Sequence, residues 1–136
     1  HCLSSAASDV YKRQGADDFF TGMFETALEE DEIIESISFS KPTKANYVKF
    51  PNPASRYAMV GVFVAKFGEG VRVAVTGAGE GGVFRHKEME TALSSNYNSD
   101  SLSSLNIASD GLISDLHASA EYRANLIKEM TKRAVV

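Results

Sequence analysis

In the stretch VRVAVTGAGEGGVFRHKEMETAL, Gly77, Gly79 and Gly82 stand at G-x-G-x-x-G spacing. Glycines so placed cradle a dinucleotide when their strand lies in a parallel sheet and the third glycine opens directly into a helix facing the pyrophosphate. Three features argue against that chemistry. The alternating run Val71, Val73, Val75 follows a Gly68–Glu69–Gly70 turn, so its neighbour should be antiparallel. Val83 and Phe84 then separate Gly82 from any helical pattern, and the acid at about the required distance, Asp100, sits in the polar run NYNSDSLSS rather than at a strand end. The segment is expected to be a strand-to-helix corner.

Other reactive side chains are sparse. His86 and His117 have no Cys or Asp beside them at ligand spacing, so no metal site is expected. Asp115 and Glu121 near His117 imitate an acid–base pair, although a loop histidine before a helix accounts for the same residues. Ser55 lacks the glycine elbow of a nucleophilic serine. Lys49 and Arg56 flank the loop PNPAS, where they could meet an anion or form a solvated pair at a strand end. No catalytic residue is assigned.

The elements that must hold these residues follow from periodicity. Phe19–Leu28 reads as a loop and Glu29–Glu32 as an acidic turn. In EIIESISFS, Ile33, Ile37 and Phe39 alternate with Ser36 and Ser38, which predicts a half-buried strand ending before Pro42. Ala45–Phe50 reads as a short strand, and Pro51 and Pro53 interrupt the ladder because proline has no N–H to donate. Tyr57–Phe67 and Val71–Gly77 should form a hairpin. Helical spacing then links Met89, Ala92 and Leu93. Asp100 is expected to cap a short helix carrying Leu102, Leu105 and Ile107. A final helix starts at Ser119 and presents Tyr122, Leu126, Ile127 and Met130, with Glu121 in its first turn and Lys132 and Arg133 in its last, as the helix dipole favours. Strands followed by helices point to an α+β fold, a small antiparallel sheet of three to four strands packed on a layer of three helices.

Bulk properties bound the class. A chain of 136 residues with 43% hydrophobic and 24% charged residues suits one globular domain. The net charge of −4 and the absence of a basic cluster argue against nucleic acid. No apolar run is long enough to span a bilayer, and a lone cysteine, Cys2, allows no intrachain disulfide; the cytoplasm is the expected compartment. Residues 1–14, HCLSSAASDVYKRQ, resemble a translated adaptor scar, and without an initiator Met the chain is expected to be the C-terminal piece of something longer.

Three segments in order, FFTGMFETALEEDEIIESISF, YVKFPNPASRYAMVGVFVA and SAEYRANLIKEMTKRAV, resemble the FAD-binding medium subunit of the molybdenum hydroxylases, of the carbon monoxide dehydrogenase and xanthine dehydrogenase type. The resemblance implies that residues 15–32 end an FAD-binding domain and that 33–136 form the flavoprotein C-terminal domain. It implies FAD as cofactor, held mostly by glycine-rich loops absent here, and a molybdopterin-binding large subunit and a [2Fe-2S] small subunit as partners. Position by position, it places Ile34 and Lys49 near the flavin, with Arg56 and Tyr57 in a variable loop beside it. The competing expectation is a cofactor-free assembly module that docks through its helices.

Overall fold

The computed structural model describes residues 12–22 and 24–135; His1 and Cys2, and most of the foreign-looking first segment, lie outside them. The described chain forms two compact units that divide between Ile37 and Ser38.

In the first unit a single helical turn, α1 (Ala16–Phe19), leads into a small antiparallel pair, β1 (Phe20–Gly22) and β2 (Glu25–Thr26). The expected loop at Phe19–Leu28 thus contains a hairpin, with Phe24 at positive φ (59°) in its turn. The strand expected at 33–39 does not form. Ile33, Ile37 and Phe39 are 88, 78 and 86% exposed, and the segment has no ladder partners among the described residues. Alternation specifies which side chains a strand could bury, but a strand also needs a second row of N–H and C=O groups. No described residue supplies that row.

The second unit is a four-stranded antiparallel sheet in the order β3 (Lys44–Pro51), β4 (Ala58–Phe67), β5 (Gly70–Gly79), β6 (Gly82–Arg85). The fourth strand is therefore β6 rather than the 33–39 segment. β4 and β5 pair from Phe67↔Gly70 to Gly61↔Thr76 across the Gly68–Glu69 turn. Val60, Val62 and Val64 of β4 and Val71, Val73 and Val75 of β5 line one face and are almost fully buried. Branched side chains at alternate positions suit this pleated, covered surface.

That face is covered by helices α2 (Lys87–Ser95) and α3 (Ala120–Ala134), with a 3-10 turn (Ser99–Leu102) between them. Met89 and Leu93 of α2, Leu102, and Leu126, Ile127 and Met130 of α3 complete the core. Two local expectations change here. The short helix stops at Leu102, capped by the Asn98 side chain that accepts from Asp100 N, so Leu105 and Ile107 follow in irregular chain. Tyr122 remains 45% exposed, packing edge-on against Phe50 of β3. Ser119 caps α3 as expected, its Oγ accepting from Tyr122 N at 3.2 Å. The class is α+β, with an antiparallel sheet and a helical layer.

The glycine segment is a hairpin rather than a strand-to-helix corner. β5 continues to Gly79, turns at Glu80–Gly81 and returns as β6, and α2 begins only at Lys87. Thr76, Gly77 and Ala78 bulge opposite Val83 alone, with Gly77 at φ +75°. Ala78 O and Glu80 N instead bond Ile113 N and Gly111 O of the loop before α3.

Candidate functional site

Within the second unit, the sheet face opposite the helices carries half-exposed aromatics, and the expected Lys49 position lies on it. Tyr47 and Lys49, two positions apart on β3, point to this side, as do their β4 partners Phe63 and Gly61. Tyr47 lies across Gly61: a Cβ there would collide with Tyr47 Oη and come within 2.5 Å of Thr76 Oγ1. Tyr47 and Phe63 are each nearly half exposed.

Beyond Lys49 the chain leaves β3 at Pro51 and rounds a loop built on Asn52. Asn52 Oδ1 accepts from Ala54 N (2.9 Å) and Ser55 N (3.3 Å), Arg56 N donates to Asn52 O, and Asn52 N donates to Tyr57 O. The loop brings Arg56 to φ +63°, a left-handed conformation uncommon for a residue with a β-carbon. Lys49 Nζ donates to the Arg56 carbonyl at 3.0 Å, fixing the backbone at that point. Lys49, Arg56 and Tyr57 are thus brought into one corner, with Tyr57 81% exposed at its rim. Ile34 belongs to the first unit and is 53% exposed. Ser55 serves the turn, its Oγ accepting from Tyr57 N.

Behind this corner stands a residue that the sequence pattern did not single out. Arg123, on α3, is 3% exposed. Its Nη1 donates to Met59 O (2.7 Å) and Gly77 O (3.2 Å), and its Nη2 to Asp115 Oδ2 (2.9 Å). The signal was present in the spacing: Arg123 lies four residues before Ile127 and seven before Met130, so it is a charge on the buried stripe. Asp115 also accepts from the backbone N–H of His117 and Ala118. Those bonds, His117's first, outweigh the opposing effect of burial and, with Arg123, hold its carboxyl below the usual range. The carboxylate therefore meets the His117 backbone, and Glu121 turns to Ser119 and its own N–H.

A second charged cluster lies at the other edge of the sheet. Arg85 grips Glu90 at two points (Nε–Oε1 2.8 Å, Nη2–Oε2 2.7 Å), while Glu90 Oε1 accepts from Val73 N at 3.0 Å. Burial pushes the Glu90 carboxyl up, but the Arg85 hydrogen bonds, the Val73 N–H and the charges of Arg85 and Lys87 together hold it below its ordinary value. This cluster fastens α2 to β5 where β6 ends. Beside it a groove of about 510 Å³ runs along Gly79, Gly81–Glu88 and Asn106–Ala108. It lacks the dinucleotide geometry, because Gly82 opens into a strand. Among the described residues no three His, Cys, Asp or Glu side chains gather as a metal site, and no helix is long and apolar enough to cross a membrane.

Comparison with known proteins adds one finding. The chain is similar to the nicotine 6-hydroxylase medium subunit of Paenarthrobacter nicotinovorans, 34% identical over 132 residues, covering 89% of this chain and 46% of the relative. It therefore spans about half the length of the curated relative it matches. No family model matches the sequence, and no solved structure matches it.

Proposed function

We propose that the chain is the C-terminal part of the FAD-carrying medium subunit of a molybdenum hydroxylase, and that the Lys49 corner forms one wall of a flavin site built mainly by residues outside it. In this role the subunit relays electrons from the iron–sulfur clusters of a [2Fe-2S] small subunit to FAD and then to an external acceptor. A molybdopterin-binding large subunit oxidises the substrate, in a cytoplasmic complex of the carbon monoxide or xanthine dehydrogenase type. Residues up to Glu32 would close the FAD-binding domain, and 33–136 would form the C-terminal domain.

The observation that carries this reading is the similarity to a hydroxylase medium subunit across 89% of the chain. The Lys49 corner supports it chemically. An ammonium has three donors, and among the described residues Lys49 spends one on Arg56 O, so it can serve an anionic acceptor while its position stays fixed. Exposed Tyr47, two positions along β3, and Tyr57, next to Arg56 in the chain, add aromatic surface. A planar ring system with an electron-rich, hydrogen-bonding edge fits such a wall. When bound, FAD supplies reversible acceptance of electrons one or two at a time. A fixed cation near the edge where negative charge collects favours the reduced form and raises the potential. Ile34, if it meets the ring, would contribute apolar wall, and Arg56 further positive charge.

The competing reading, a cofactor-free module docking through its helices, has less support. The exposed aromatics Tyr47 and Phe63 collect on the sheet face opposite the helical layer.

The test is the full-length subunit with Lys49→Ala. The parent protein should purify yellow, whereas this chain alone should hold FAD weakly. The variant should lose flavin on gel filtration or show a lower midpoint potential. Flavin content and potential both matching the parent would remove Lys49 from the site.

A further inference from the structure

We infer that Arg123 is a positioning residue for the Lys49 corner: it holds the entry of β4, and with it the loop that Lys49 grips, against the β5 bulge. The inference rests on the flavin reading above and adds to it a residue on the opposite side of the sheet.

The reason lies in how the ladder ends. β4 and β5 pair as far as Gly61↔Thr76. Past that point the ladder stops at Gly77, φ +75°, although the chain stays so close to β4 that a Cβ on Gly77 would strike the Ala58 carbonyl. The carbonyls of Met59 and Gly77 both turn to the same guanidinium, Arg123 Nη1. A buried carbonyl without a donor is costly, and here a side chain from α3 takes the place of the missing rung. Arg123 is itself anchored by Asp115 at 2.9 Å.

Met59 is three residues from Arg56, whose carbonyl Lys49 holds at 3.0 Å. The Asn52–Tyr57 loop is gripped by Lys49 at Arg56 O, and the strand it runs into is anchored by Arg123 at Met59 O. If the Met59 anchor slackens, the start of β4 loses one restraint, and the left-handed Arg56 three residues before it is left to the Asn52 and Lys49 hydrogen bonds alone. Its carbonyl, which orients the Lys49 ammonium, then shifts. Arginine suits the task because its planar fork reaches three acceptors at once; a lysine cannot reproduce that geometry.

The experiment is a double-mutant cycle in the full-length, flavin-loaded subunit, with Arg123→Lys, Lys49→Ala and the pair, reading the flavin midpoint potential beside the near-ultraviolet circular dichroism that reports folding. Because Arg123 acts through Lys49, Arg123→Lys should lower the potential in the same direction as Lys49→Ala, and the double variant should fall no further than Lys49→Ala alone. If Arg123→Lys leaves the potential of a protein responsive to Lys49→Ala unmoved, or if the two shifts simply add, the inference is overturned and the flavin reading stands. If Lys49→Ala itself changes neither potential nor retention, the flavin reading fails first and takes the inference with it. Should Arg123→Lys not fold, Asp115→Asn removes only the outer anchor; it should produce a smaller shift of the same sign, and no shift would equally overturn the inference.

Discussion

Glu90 on α2 and Arg85 on β6 meet through two hydrogen bonds of 2.8 and 2.7 Å, and the same carboxylate also receives the N–H of Val73. Helix and sheet edge are thereby joined by a charge rather than by apolar contact alone.

This pair gives the fold an acid-sensitive point. The Glu90 carboxyl is held below its ordinary value in the folded chain, so its contribution is fully present above the unfolded-state value and disappears as pH falls through the folded one. Stability should be level near neutrality and decline at pH below the usual carboxylate range. Glu90→Gln should cost about 1–3 kcal/mol at neutral pH and flatten the decline. Urea unfolding of the chain at stepped pH checks both; a variant retaining the parent's acid slope would show that other carboxylates cause it.

Two glycines should respond very differently to the same added methyl group. At Gly77 the new Cβ meets the Ala58 backbone carbonyl and φ is +75°, so neither neighbour nor chain can yield cheaply. At Gly61 it meets the ends of Tyr47 and Thr76, side chains that can rotate away. Gly77→Ala should destabilise by about 1–3 kcal/mol, and Gly61→Ala by less, because its neighbours are the ends of side chains. Tyr47 fluorescence should change in the Gly61 variant alone. Equal costs would contradict the packing described at one of the two sites.

The start of α3 offers a simpler measurement. Ser119 Oγ accepts the Tyr122 N–H that the helix cannot satisfy internally. Ser119→Ala should lower stability by about 1 kcal/mol, and Ser119→Asp should restore most of it. Thermal unfolding followed by circular dichroism distinguishes the three proteins.

Where local chemistry decides structure, the sequence is legible. Ser119 with Glu121 announced α3, and Gly68–Glu69 between two valine-rich runs announced the β4–β5 hairpin. Where a distant partner decides, it is not. Ile33, Ile37 and Phe39 share one phase as the β5 valines do, with Glu35 interrupting it, yet only β5 finds neighbours among the described residues. β6 was hidden because Gly82–Arg85 is four residues long and the glycines leading into it suggested a corner. Lys49 and Arg56 were suspected from their places around the prolines, and the loop does bring them together. Arg123 escaped notice because the carbonyls it serves belong to residues 64 and 46 positions away.

β3 forms an outer margin of the four-stranded sheet, and its composition makes that margin poor at recruiting stray chains. Lys44 and Lys49 project to opposite sides of the strand, so an incoming strand would meet a cation whichever way it faced. Pro51 closes the row with a residue that cannot donate. The exposed Ile33–Phe39 segment of one molecule thus finds an unwelcoming template along β3 of the next.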